Sequence, residues 1–129
     1  LQVHMIDDAL AIGVGHAALN LSLNTVLRGP GDGAEAFVHD GRTYHADTAY
    51  LEAFDARVKA LSDHGIVVTL ILLNGLNWDG VPMAETLRAA CVHPGYDPEG
   101  LLSAFPVTTD EGLRHLRAFA SFVARRYTR

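Results

Sequence analysis

The stretch Gly65-Ile-Val-Val-Thr-Leu-Ile-Leu-Leu-Asn74 decides how this chain is read. Between Ile66 and Leu73 every residue but Thr69 is apolar, a run far too short to span a bilayer and of the length of one strand. A strand apolar on both faces is expected to be covered on both, as parallel strands of α/β proteins are.

The upstream sequence supplies the partners. From Asp47, a suitable helix cap, Leu51, Phe54, Val58 and Leu61 recur at steps of three and four, and Gly65 provides the stop. Before that helix, His16-Ala-Ala-Leu-Asn-Leu-Ser-Leu-Asn-Thr-Val-Leu27 alternates, with Leu19, Leu21 and Leu23 on one face and Asn20, Ser22 and Asn24 on the other. Strand, helix and strand make a βαβ unit. Asp7 to Gly13 reads as a helical turn closed by glycine. Arg28-Gly-Pro-Gly-Asp-Gly33 reads as a loop, and Ala36 to His45 as a hairpin about Asp40-Gly41, the dipeptide that type I′ turns favour. The hairpin is expected to decorate the fold rather than build its core.

Downstream, Asn74 to Val107 is rich in Gly, Pro, Asn and His, with a short helix expected over Met83 to Ala90. Loops of this length are uncommon unless they line a site. Thr108-Thr-Asp-Glu111 has the form of a capping box, and Leu113, Leu116, Ala120, Val123 and Tyr127 trace a second one-faced helix. Two strands cannot bury two such helices, and the alternation predicts a third strand just after Arg129. Residues 1–129 therefore read as the N-terminal segment of one larger α/β domain, the first two β/α units with insertions. A complete doubly wound domain would need more strands than the chain offers, and no G-x-G-x-x-G fingerprint follows the first strand.

Composition narrows the partners. With 49% hydrophobic residues the chain is globular material, and its net charge of -5 with a lone lysine, Lys59, argues against a nucleic-acid footprint or a basic membrane-surface helix. Cys91 is the one cysteine, without the C-x-x-C spacing of a redox or zinc site. The chain opens on Leu1, so the lack of a leader in these residues carries no information about compartment.

Asp7 to Asn20, Thr43-Tyr-His45, Gly65 to Asn74, His93-Pro-Gly-Tyr96 and Thr108 to Arg114 together resemble a poorly characterised family of bacterial barrel proteins related to glycoside hydrolases, along nearly the whole chain. The resemblance implies a partial (β/α)8 TIM barrel, its first two β/α units carrying a β-hairpin insertion and a long loop after strand 2. It implies hydrolysis of O-glycosidic bonds by two carboxylates in the complete barrel, a carbohydrate substrate, no cofactor, and a secreted or cell-envelope setting. In such barrels the acid/base and the nucleophile sit at the ends of the fourth and seventh strands. No residue here matches those positions, so no catalytic residue is assigned and the segment alone is expected to be inactive and to self-associate through apolar faces.

Within a barrel, alternate residues of each strand point into the lumen. Asn20 and Asn24 then approach the mouth and can hydrogen-bond a sugar hydroxyl. Asn20 and Ser22 equally suit the satisfaction of neighbouring backbone groups or water. Asn74 ends the second strand, with Asn77 and Trp78 close behind; tryptophan stacks on sugar rings or plugs a loop against the rim. His45 and His93 lie in loops near helix starts. Exposed loop histidines are common, and no i, i+4 histidine pair points to a metal. A non-catalytic carbohydrate-binding or structural barrel, or a complete small α/β domain of unrelated function, remain alternatives.

Overall fold

Leu19 and Leu21 have no exposed surface worth counting, and their strand explains why: β1 (His16–Ser22) pairs in parallel with β5 (Val67–Leu73), from His16 opposite Val67 to Ser22 opposite Leu73. The computed structural model describes residues 5–31, 33–75 and 85–127. Around this pair stand α1 (Ile6–Ala11), a helical turn α2 (Leu23–Val26), β2 (Leu27–Arg28), β3 (Ala34–His39), β4 (Arg42–Asp47), α3 (Thr48–Ser62), α4 (Glu85–Cys91) and α5 (Asp110–Tyr127). The fold is mixed α/β. It holds one parallel two-stranded sheet and one antiparallel sheet in the order β2-β4-β3, and no closed barrel among the described residues.

The connecting helix forms as its sequence dictates. Asp47 Oδ1 accepts the amide of Tyr50 at 2.8 Å, which satisfies a free donor of the first turn, and Gly65 at φ +73° lets the chain leave α3 in a conformation that side chains resist. Leu51, Phe54 and Leu61 are buried in one core with Ala17, Leu19 and Leu21 of β1. Asp40 and Gly41 both take positive φ, 47° and 72°, as a type I′ hairpin needs.

Four expectations change. The strand beginning at His16 ends at Ser22, because residues 23–26 coil into α2, so Asn24 leaves the polar stripe and is buried at the strand end. The strand expected to be covered on both faces is covered on one among the described residues: Val67 is 55% and Ile71 39% exposed beside Asn20 on the open face. The hairpin builds core rather than decorating it, since β4 is flanked by both β2 and β3 and buries Tyr44 and Ala46. Last, the N-terminus of α5 is capped by Thr109, whose Oγ1 accepts the amide of Gly112 at 3.0 Å, one residue later than the capping-box pattern placed it. Glu111 therefore does not reach back to the helix start and is free to meet Arg42.

The buried stripe of α5 runs through Gly112, His115, Ala118, Phe119 and Val123, so Val123 of the expected line stays buried while the stripe as a whole is turned by about one residue, roughly 100°, from the line through Leu113, Leu116, Ala120, Val123 and Tyr127. The hairpin is the cause. Phe37 of β3 packs on Phe122 with ring centroids 4.5 Å apart, and Tyr44 of β4 meets the His115 ring edge-on at 5.3 Å. At its far end α5 is fastened to α3 and β3 by Arg126, which reaches Asp55 Oδ2 at 2.6 Å and Glu35 Oε1 at 3.1 Å, while the Tyr127 hydroxyl donates to Asp55 Oδ1 at 2.7 Å.

Burial alone would raise the Asp55 carboxyl, but the hydrogen bonds from Arg126 and Tyr127 outweigh it and hold its pKa below the usual carboxylate value. A carboxyl depressed on folding contributes stability above its unfolded pKa, about 3.9, and that contribution fades as pH falls through the lower folded value. Asp55→Asn is thus expected to cost stability at pH 7 and to flatten the acid limb below about pH 4, read from thermal melts across pH 3–7. Because Asp55 is partly exposed, the effect stays small.

Candidate functional site

Parallel strands leave all their C-terminal ends on one side, and both long connections of this chain depart from those ends. Residues 23–47 join the end of β1 to α3, and residues 74–109 join the end of β5 to α5. Ligands of open parallel sheets and of barrels bind at this side, because the connections can vary there without disturbing the core.

At the strand ends a polar cluster forms. The Ser22 hydroxyl donates to Asn24 Oδ1 and accepts the amide of Gly75 at 2.9 Å, so the end of β1 is stitched to the residue that follows β5. Asn74 is 2% exposed; its Nδ2 donates to the carbonyls of Cys91 at 2.9 Å and Ala104 at 3.0 Å, and its own carbonyl accepts the amide of Ser103 at 2.8 Å. Asn74 Oδ1 is buried with no partner among the described residues. Asn20 stands apart on the open face, half-exposed, one pleat below Ser22.

Of the residues singled out in the sequence, Asn24 and Asn74 therefore come to the strand ends, with Asn20 beneath them. His93 lies beyond α4, where its Nδ1 accepts the Gly95 amide at 3.0 Å, a turn-closing contact. Asn77 and Trp78 lie outside the described residues.

His45 leads elsewhere. It sits opposite Arg28 in the β2–β4 ladder, on the wall of an open cleft of about 520 Å³ bounded by Gly29, Pro30, Arg42, Tyr44, Glu111 and His115. β2 pairs only with His45 and Ala46. Beyond them Gly29-Pro30 leaves the ladder, as proline without an N–H must, and the cleft opens along the edge of β4. It lies between the two connections, so it faces the same side as the strand-end cluster.

The charges of the cleft are arranged in pairs. Arg28 Nε reaches Asp47 Oδ2 at 2.8 Å; its two Nη groups have no acceptor among the described residues. Burial would raise the Asp47 carboxyl, yet the Tyr50 amide and Arg28 more than offset this and lower it. Arg42 Nη1 holds both oxygens of Glu111, at 3.0 and 2.7 Å, which raises the arginine's pKa and lowers that of Glu111. Arg114 shares Glu111 at 3.2 Å, and the buried His115 donates its Nδ1–H to the Glu111 carbonyl, 2.9 Å away. Arg28, Arg42, Glu111 and His115 escaped the sequence reading because they lie far apart along the chain. The one usable signal was the histidine next to a predicted hairpin end.

A second groove, about 810 Å³, runs between α3, β5 and α5 on the helix side of the sheet, away from the strand ends. Among the described residues no three His, Cys, Asp or Glu side chains gather closely enough to hold a metal ion, and no helix is long and apolar enough to cross a membrane.

Comparison with known proteins bears on the chain as a whole. No curated protein and no solved structure matches it. A protein family does match over residues 1–129, and its description is "Family of unknown function (DUF5722)". The chain, with its parallel strand pair, inserted hairpin and arginine-lined cleft, belongs to that family.

Proposed function

We propose that residues 1–129 are the N-terminal segment of a glycoside-hydrolase-like (β/α)8 barrel that acts on carbohydrate, with the C-terminal ends of β1 and β5 forming part of its sugar-binding mouth. The observation that carries this reading is the open face of the strand pair. It is polar at Asn20 and Ser22 on one strand, and on the other it exposes Val67 and Ile71, which only further strands or a partner would bury. An inner face on which amide and hydroxyl groups stand beside apolar side chains is what a barrel strand turned to a wet lumen carries. The same exposed face makes self-association the expected behaviour of residues 1–129 on their own.

In this reading Asn20 presents its amide toward the mouth, with Asn24 buried at the end of the same strand; Asn74, Asn77 and Trp78 belong to the rim after the second strand, and His45 and His93 to the flanking loops. Amides and a tryptophan face are the groups that sugar hydroxyls and sugar rings recognise. The hydrolytic carboxylates belong to strands beyond this segment.

The test is a panel of polysaccharides and aryl glycosides offered to the full-length protein, with binding followed by calorimetry and cleavage by release of reducing ends. Binding with cleavage is expected, and Asn20→Ala should weaken binding about fivefold to tenfold with an unchanged melting temperature, the loss of one hydrogen bond at a half-exposed site. Binding without cleavage would transfer the reading to a non-catalytic carbohydrate-binding barrel. No glycan bound would sink both.

A further inference from the structure

A neutral sugar needs hydroxyl and amide partners, yet the cleft on the mouth side is walled by two arginines and two histidines in a chain whose net charge is -5. We propose that this cleft takes the carboxylate of an acidic sugar residue, a hexuronate, with Arg28 as its anchor and Arg42 as the second cation. The inference rests on the carbohydrate reading and narrows it to a substrate class.

Three observations carry it. Arg28 is oriented before any ligand arrives: Asp47 takes its Nε, and Asp47 is itself held by the first turn of α3 through the Tyr50 amide. What remains is the pair of Nη donors, and a guanidinium fork matches a carboxylate in two parallel hydrogen bonds. Next, the local charge count favours an anion. Among the described residues, the ion pairs here join Arg28, Arg42 and Arg114 to the two carboxylates Asp47 and Glu111, so one positive charge is left over. His45, opposite Arg28 in the ladder, and His115 add two ring nitrogen sets and no negative charge.

The shape is the third. About 520 Å³ accommodates one or two sugar residues rather than an isolated ion. The cleft is open at the edge of β4, and Pro30 and Leu87 give it apolar surface on which a pyranose ring can rest. Glu111 is the one acid on the wall among the described residues, and Arg42 and Arg114 both engage it, so it does not repel a carboxylate as a bare charge would.

The experiment compares three polymers on the full-length protein by titration calorimetry: polygalacturonate, the same polymer after methyl esterification, and a neutral galactan. Polygalacturonate is expected to bind at least about tenfold more tightly than its ester, with the difference shrinking as salt rises. Arg28→Gln should erase the preference. Because Arg28 also steadies Asp47, Arg42→Gln serves as a second variant, and a melting curve of each confirms that it is folded. Ester and acid binding equally, or the preference surviving in both folded variants, overturns the inference while the carbohydrate reading stands on the neutral polymer. If no polymer binds at all, the carbohydrate reading falls and takes the inference with it.

Discussion

Asn74→Asp is expected to destabilise the protein by about 3–5 kcal/mol at neutral pH, the cost of a buried charge left without partners. The asparagine amide faces two carbonyl oxygens, of Cys91 and Ala104, at 2.9 and 3.0 Å. Aspartate replaces both donors by a carboxylate oxygen, and four acceptors then share a site with no donor. The side-chain oxygen of Asn74 already lacks a partner among the described residues, so no relief comes from turning the group over. Asn74→Ala should cost less, about 1–3 kcal/mol, because it leaves two carbonyls unpaired but adds no charge. The two variants also differ in pH response. Burial among carbonyls raises the introduced carboxyl above its unfolded value, so the folded state holds the proton more firmly and the penalty of Asn74→Asp shrinks as pH falls. Urea melts of both variants at pH 7 and pH 5 measure this. Equal stability of the two at pH 7 would refute the account of Asn74 as a donor clamp.

Gly112→Ala reverses the usual sign of its kind. In a helix the change normally gains about 1 kcal/mol from backbone entropy. Here a Cβ would overlap the Pro106 carbonyl oxygen, lie 2.8 Å from Pro106 Cβ and 3.0 Å from the Ala90 carbonyl oxygen. Two of these three obstacles are backbone, so they cannot swing aside as a side-chain tip would. The expected loss is about 2–3 kcal/mol, typical of overpacking in a well-filled site, and it measures how closely α5, α4 and the 103–107 segment are pressed together. A variant as stable as the parent would mean that the first turn of α5 stands off from Pro106.

Much of the framework could be read before any coordinates. The period of Leu51, Phe54 and Leu61, the cap at Asp47, the glycine stop at Gly65 and the Asp40-Gly41 turn are local signals, and local signals survive into the fold. What could not be read was set by distant partners. The stripe of α5 turned because Phe37 and Tyr44, some 80 residues earlier, cover its flank. Alternation from Leu19 through Leu23 suggested one long strand, whereas the chain coils at residues 23–26, and a buried Leu23 satisfies either geometry. The site divides the same way. Asn24 and Asn74 were legible from their place at strand ends, while the cleft needs Arg28, Arg42 and Glu111, and the contact between Arg42 and Glu111 spans 69 positions of sequence.

The clamp at Asn74 gives the chain's one thiol an unplanned use. Cys91 has no exposed surface, and burial, helped by the charge of Glu111, pushes its thiol up to about 12, so at neutral pH it is neither reachable nor ionised. Its carbonyl is the acceptor that Asn74 holds. Alkylation of this sulfur must therefore wait for α4 to lift from the strand ends, and the rate of labelling becomes a clock for how often the floor of the proposed mouth opens.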